Sequence, residues 1–282
     1  MTIPVIAQLD ELRSTVAAWR ADGQRIALVP TMGALHQGHL DLVRRAGELA
    51  ERVVVSVFVN PTQFAPTEDF GRYPRDLERD YAALSGTAVS ALYAPTAQDM
   101  YGPNFSTKIS LEGPALGLES ITRPHFFAGV ALVVTKLFNR CAPDVALFGE
   151  KDYQQLKVIS RMTKDLDLPV EIIGVPTTRE ADGLALSSRN VYLSEEERAV
   201  APRLHMALQD LAQVVSRGDP IAAAVAQARE ALAAAGFDVD YVEVRDAETL
   251  EAVEAHDRPL RVLAAAKLGT TRLIDNIAVP RA

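Results

Sequence analysis

The sequence predicts an α/β protein: a parallel-sheet domain over residues 1–176, a linker over 177–185 and a smaller α+β domain over 186–282. Three observations carry that reading. Short apolar runs rich in β-branched residues alternate with stretches of helical spacing as far as Val175. Turn residues then interrupt the pattern, and beyond them helices come first and strands follow as a group.

Each element can be justified in order. From Ile6 to Ala21, the residues Leu9, Leu12, Val16, Ala17 and Trp19 recur at roughly helical spacing, and Gly23 closes the segment. Ile26 to Val29 reads as a buried strand. It turns through Pro30-Thr31-Met32-Gly33-Ala34-Leu35 into His36-Gln37-Gly38-His39, where Leu40, Val43 and Ala46-Gly47 resume helical spacing. Val53 to Val59 is too short and too β-branched for anything but a second strand, and it ends at Asn60-Pro61-Thr62-Gln63-Phe64. A helix from Asp76 to Leu84 leads to a third strand, Val89 to Ala94, closed by Pro95. The interval Thr96 to Pro124 is irregular, with Ser106 to Leu111 a candidate short strand. Helical spacing returns at Val130, Val133, Val134, Leu137 and Phe138. Val145 to Phe148 then makes a strand running into Gly149-Glu150-Lys151-Asp152, and a helix from Tyr153 to Leu166 with a strand from Val170 to Val175 completes five strands. Strand-helix-strand order implies right-handed crossovers and a parallel sheet.

Ala181-Asp182-Gly183 gives the linker its turn chemistry. Ser194, with Glu195, Glu196 and Glu197 in the first turn, opens a long helix to about Ser216. Gly218-Asp219-Pro220 breaks it, and the Ala-rich run from Ile221 to Ala235 is a second helix closed by Gly236. Val239 to Val244, Leu260 to Ala265 and Leu273 to Ile277 read as strands of a small sheet.

Bulk composition narrows the function. A net charge of -8 argues against a broad nucleic-acid face, which needs clustered Lys and Arg, so any anion site must be local. Cys141 is the only cysteine, which rules out an intrachain disulfide and a four-thiolate zinc site. No basic, apolar leader and no bilayer-length apolar run is present, and the expected location is cytoplasmic.

The strand ends carry the chemistry. In an open α/β sheet, ligands bind at the carboxyl edge. There the first turn brings His36 and His39 to a helix N-terminus, whose unpaired N–H groups and dipole suit a phosphate, and Gly33 and Gly38 permit close backbone approach. Either imidazole can donate a hydrogen bond or, if protonated, a charge. The second strand end brings Asn60 and Gln63; the fourth brings Lys151, Asp152 and Gln155; past the linker come Ser187, Ser188 and Arg189. Lys, Arg and Ser suit phosphate oxygens, Asp suits a ribose hydroxyl or a metal ion, and the neutral amides suit a small hydroxy acid. The implied cargo is a triphosphate beside a small carboxylate.

Four segments, Pro30 to His39, Phe58 to Phe64, Phe148 to Gln155 and Asp182 to Asn190, together with the ending Arg272-Leu273-Ile274-Asp275-Asn276, resemble the pantothenate synthetase family over essentially the whole chain. The resemblance implies a Rossmann-like fold of the His-x-Gly-His nucleotidyl-transferring superfamily. It implies an ATP-dependent ligase that joins (R)-pantoate to β-alanine through a pantoyl adenylate, releasing AMP and diphosphate, with a magnesium (Mg2+) requirement and a homodimer. No protein ligand for the metal is assigned. By position, ATP would lie along Met32, Gly33, His36, Gly38 and His39, along Gly149, Lys151 and Asp152, and along Leu186, Ser187, Ser188 and Arg189, with Thr178 near the adenine. Gln63 and Gln155 would hold pantoate, and Gln63 also β-alanine. His39 matches the residue assigned as catalytic acid; His36, Lys151 and Arg189 would act with it on the phosphates. Two departures stand out. Arg123-Pro124-His125-Phe126 places its imidazole one position earlier than the family's usual Arg-Pro-Gly-His, and Thr178 replaces an apolar residue. The alternative is a nucleotidylyltransferase acting on a phosphorylated acceptor; such an acceptor calls for basic residues where Gln63 and Gln155 stand.

Overall fold

The computed structural model describes residues 2–65 and 68–280. The chain runs through β1 (Val5–Ile6), α1 (Leu9–Ala21), β2 (Ile26–Thr31), α2 (Gln37–Leu49), β3 (Arg52–Val57), α3 (Leu77–Leu84) and β4 (Val89–Tyr93). It continues with α4 (Ala97–Tyr101), α5 (Glu119–Thr122), α6 (Phe126–Cys141), β5 (Val145–Gly149), α7 (Tyr153–Asp165) and β6 (Glu171–Val175). These six strands form one sheet in the order β1-β4-β3-β2-β5-β6, every neighbouring pair parallel. From β2 the chain builds outward on one side, then returns to lay β5 and β6 on the other. The order therefore reverses between β2 and β5, which opens a crevice beyond their carboxyl ends.

The continuous apolar runs of these strands follow from burial on both faces. Ile26 and Leu28 pack with Leu12, Val134, Leu137 and Ile159 on one side, whereas Ala27 and Val29 pack with Leu42, Val43, Ala46 and Leu84 on the other. Strand side chains alternate, so one face-to-face swap of register would misplace them all.

The second sheet is antiparallel. After α8 (Glu195–Val200), α9 (Arg203–Ser216) and α10 (Ile221–Ala234), the strands β7 (Asp238–Asp246), β8 (Leu260–Leu268) and β9 (Thr271–Ala278) pair in sequence order. Leu204, Leu208, Leu211, Val215 and Leu232 cover one face of it, where Ala264 and Ala266 let the helices close.

The α/β architecture expected from the sequence is the one found, with three local differences. Ile6, expected to begin a helix, instead joins Val5 in a short edge strand paired with Leu92 and Tyr93. The segment Ser106 to Leu111 is not a strand; Ile109 and Leu111 are held by packing against the core and have no ladder. The helix expected from Ser194 to Ser216 is divided at Ala201-Pro202, since proline has no N–H to give and crowds the preceding turn. Among the described residues, no helix is long and apolar enough to cross a membrane.

Candidate active site

The turn between β2 and α2 is shaped from below. Thr31 Oγ1 donates to the Ser56 carbonyl at 2.8 Å and accepts from the Gly33 N–H at 3.1 Å. Asp80 on α3, only 2 % exposed, accepts from the N–H groups of Ala34 and Leu35 at 3.1 and 2.8 Å. Gly33 has φ +81, and a Cβ there would lie 2.8 Å from Asp80 Oδ2. Gly33, expected against the nucleotide, thus makes room for Asp80 and does not line the cavity described below.

That turn delivers two imidazoles that cap α2 reciprocally. His36 Nδ1 accepts from the Gly38 N–H and His39 Nδ1 accepts from the His36 N–H, both at 3.2 Å. A Cβ at Gly38 would lie 3.1 Å from the His36 ring, so the glycine admits the imidazole. The ring centroids are 4.1 Å apart. An Nδ1 that accepts a backbone N–H carries no proton, so in the neutral ring the proton sits on Nε2. Burial, then the charge of Lys151, lowers His36 to about 4; burial, then His36 and Lys151, lowers His39 to about 3. Of the two states considered from the sequence, the neutral donor is therefore the one present near neutral pH.

The second turn holds Gln63. Asn60, 1 % exposed, donates from Nδ2 to Gln63 Oε1 at 3.0 Å and to the Gly129 carbonyl at 3.1 Å; its Oδ1 accepts from Tyr101 OH at 2.6 Å. This fixes which end of the Gln63 amide is spent, and its Nε2 lies 3.0 Å from Met32 Sδ. A Cβ at Gly129 would fall within 2.8 Å of the Gln63 N, so α6 can reach this turn only through a glycine. On α7, Gln154 points away from the cavity, donating to the Pro114 carbonyl at 2.9 Å, while its neighbour Gln155 lines it.

The third group sits after β5. Asn276 Nδ2 donates to the carbonyls of Glu150 and Lys151 at 2.9 and 2.8 Å, so a β9 side chain sets the loop that carries the lysine. Lys151 Nζ is 3.8 Å from Asp152 Oδ2, a loose pairing. Past β6, Thr178 Oγ1 donates to Asp41 Oδ2 at 2.7 Å. Ser187 Oγ accepts from the Arg189 N–H at 3.2 Å, Ser188 Oγ is 3.2 Å from Tyr73 OH, and the Arg189 guanidinium lies 5.6 Å from the Tyr73 ring centre.

These groups surround one cavity of about 750 Å³ between the two sheets. From the parallel sheet come Met32, His36, Gly38, His39 and Gln63, then Gly149, Lys151, Asp152 and Gln155. Thr178, Leu186, Ser187, Ser188 and Arg189 close it from the segment after β6. Of the residues expected at the site, Gly33 alone is not on its wall.

Sequence reasoning passed over the polar network that joins the two sheets across this cavity. Arg272 donates both Nη groups to Glu119 at 2.8 and 2.9 Å and Nε to Asp240 at 2.6 Å, and Tyr241 OH donates to Glu119 at 2.9 Å. Arg179 forks onto Asp275 at 2.7 and 2.8 Å, with His205 Nδ1 at 3.1 Å. Burial alone would raise the Asp275 carboxyl, but His205 and Arg179 outweigh it and hold it below the usual range. The signal was the ending Arg272-Leu273-Ile274-Asp275-Asn276, whose polar members reach Glu119, Arg179 and the loop after β5 respectively. Arg123 also lines the cavity, stacked 3.7 Å over Phe126; His125, two residues on, does not line it.

Residues 4–278 match the family model for pantoate-beta-alanine ligase. The chain is 57% identical over 278 residues to the pantothenate synthetase of Paramagnetospirillum magneticum, with 98% of each chain covered. It superposes on the crystal structure of pantothenate synthetase from Thermus thermophilus with a TM-score of 0.93 at 46% identity, covering 98% of this chain and 99% of that one. A further match, at TM-score 0.82 and 30% identity over 98% of this chain and 97% of the other, is the Francisella tularensis pantoate-beta-alanine ligase complexed with beta-gamma ATP and beta-alanine. With full-length similarity in sequence and in fold in agreement, the chain belongs to the pantoate-beta-alanine ligase family.

Proposed function

We propose that this cavity takes ATP, (R)-pantoate and β-alanine and joins the two acids as pantothenate, releasing AMP and diphosphate. The observation that carries the reading is the sharing of one cavity by the capped imidazoles, Lys151 and Arg189 with the two neutral amides Gln63 and Gln155. Full-length likeness to pantothenate synthetases favours ligation over nucleotidyl transfer to a phosphorylated acceptor.

In the first step a pantoate carboxylate oxygen attacks the α-phosphorus of ATP, the bond from that phosphorus to the leaving diphosphate oxygen breaks, and a pantoyl adenylate forms. The two anions repel, so the chain must supply positive potential where charge accumulates. Lys151, Arg189, the α2 N-terminus and the Nε2–H donors of His36 and His39 supply it. His39, being neutral, acts as a hydrogen-bond donor to the phosphates. Gln63 and Gln155 orient the pantoate hydroxyls and carboxylate. In the second step the β-alanine amine attacks the acyl carbon, the acyl–phosphate oxygen bond breaks, AMP leaves, and the nitrogen loses a proton to solvent.

Magnesium would fit this donor set through the Asp152 carboxylate, which is 45 % exposed on the cavity wall beside Lys151. When bound it neutralises phosphate charge. Among the described residues no group of three or more His, Cys, Asp or Glu stands ready to hold a metal. The family likeness supports a homodimer, and the single cysteine, buried as a thiol, supports a cytoplasmic location.

The deciding experiment is exchange of labelled diphosphate into ATP. It should require pantoate and not β-alanine, and AMP should accumulate only when β-alanine is added. Exchange that instead requires a phosphorylated acceptor would overturn the reading.

A further inference from the structure

The reaction has two carboxylates to bind, and the only group assigned so far toward β-alanine, the neutral amide of Gln63, brings no charge to meet the second. β-Alanine presents an ammonium to be used and a carboxylate to be held. That carboxylate must sit near Gln63, because three bonds separate it from the nitrogen that attacks the pantoyl group. Among the described residues, the Arg123 guanidinium meets this condition. It lines the cavity and donates from Nη2 to the Gln63 carbonyl at 3.3 Å.

Its present partners show what it is built to hold. Glu68 takes the fork, accepting from Nε and, at 3.1 Å, from Nη2, while Glu119 stands 3.6 Å from Nη1. The Phe126 ring lies 3.7 Å beneath the guanidinium and fixes its plane. The two carboxylates differ in how they are anchored. Glu119, with a side chain 8 % exposed, is tied to Arg272 and Tyr241 and is part of the scaffold. The Glu68 side chain is 22 % exposed, and among the described residues its remaining hydrogen bond is to the Ala65 N–H at 3.0 Å, within its own segment.

We propose that Arg123 is the receptor for the β-alanine carboxylate, and that Glu68 occupies its fork as an exchangeable surrogate until β-alanine arrives. The inference rests on the ligase reading above. The exchange trades one carboxylate for another on the same planar donor pair, so charge balance is kept and Glu68 returns to water. Phe126 thereby acquires a role at the position where the family's imidazole usually stands: it aligns the guanidinium.

Steady-state AMP formation by the full-length enzyme tests this, with diphosphate exchange as the reference. In Arg123→Gln the KM for β-alanine should rise by about tenfold or more beyond any rise in the KM for pantoate measured by exchange. Preference for β-alanine over its neutral amide should shrink by a similar factor, and Arg123→Lys should restore part of it. Glu68→Gln, which removes the competing charge, should lower the KM for β-alanine. Failure of the wild-type enzyme to exchange with pantoate would count against the ligase reading. Normal exchange, with amide discrimination unchanged in Arg123→Gln or the KM for β-alanine unchanged in Glu68→Gln, would overturn this inference alone. Should Arg123→Gln not fold, the Glu68→Gln result decides.

Discussion

Asn276 and Lys151 meet across the two sheets: the amide nitrogen of the first lies 2.8 Å from the main-chain carbonyl of the second. The residue that holds the loop carrying Lys151 therefore comes from the antiparallel sheet. Asn276→Ala strands the carbonyls of Glu150 and Lys151 and frees the loop. Kinetics should show kcat/KM for ATP reduced by about tenfold, the equivalent of one to two lost buried hydrogen bonds, with the KM for β-alanine less affected.

His39→Ala removes an Nε2–H donor and the cap on the His36 N–H together. Turnover should fall by about 100-fold while ATP affinity, measured by calorimetry, changes far less, since charge builds on the phosphates in the transition state. Equal losses in both would assign His39 to ground-state binding.

Acid should unfold the protein in part through these rings. His36 and His39 are held near 4 and 3 against an ordinary value of 6.5, so between these limits the unfolded chain binds more protons than the folded one. Stability is then full above pH 6.5 and declines as pH falls toward 4, by about 1.4 kcal/mol per pH unit for each ring once the unfolded imidazoles are protonated. Denaturant titrations at stepped pH should show that slope, and His36→Gln should flatten it. Phosphates brought beside the rings favour the charged form, so ATP binding near pH 5 should take up protons, readable by calorimetry in buffers of different ionisation enthalpy.

Gly129→Ala would push α6 away from the Asn60 turn, because the new Cβ has main-chain atoms of Thr62 and Gln63 in its path. An overpacking cost of about 1–3 kcal/mol is expected. The KM values for pantoate and β-alanine should rise more than that for ATP, since the turn that α6 packs against carries Gln63.

Much of the site was legible because strand ends are legible. A β-branched run followed by a helix N-terminus tells where His36, Gln63 and Lys151 emerge, and the carboxyl-edge rule gathers them. The sequence could not tell that Gly33 yields to Asp80, a residue 47 positions away, or that Asn60 spends its amide on orienting Gln63. Those are side-chain contacts between separate elements, without a period or spacing to mark them. The fold was read well where burial is two-sided and less well at Val5–Ile6, where a two-residue edge strand has too few residues to carry a pattern. Pro202 was a local signal for the break between α8 and α9, outweighed by the helical composition around it.

Strand β9 follows every other named element in chain order, and it carries Arg272, Asp275 and Asn276. A growing polypeptide thus has its imidazoles, its lysine and its late arginine long before it has the anchors that aim them. A product interrupted short of Thr271 would carry the side chains of the cavity without the β9 contacts that aim them, so in this fold the equipment and its alignment come from separate parts of the chain.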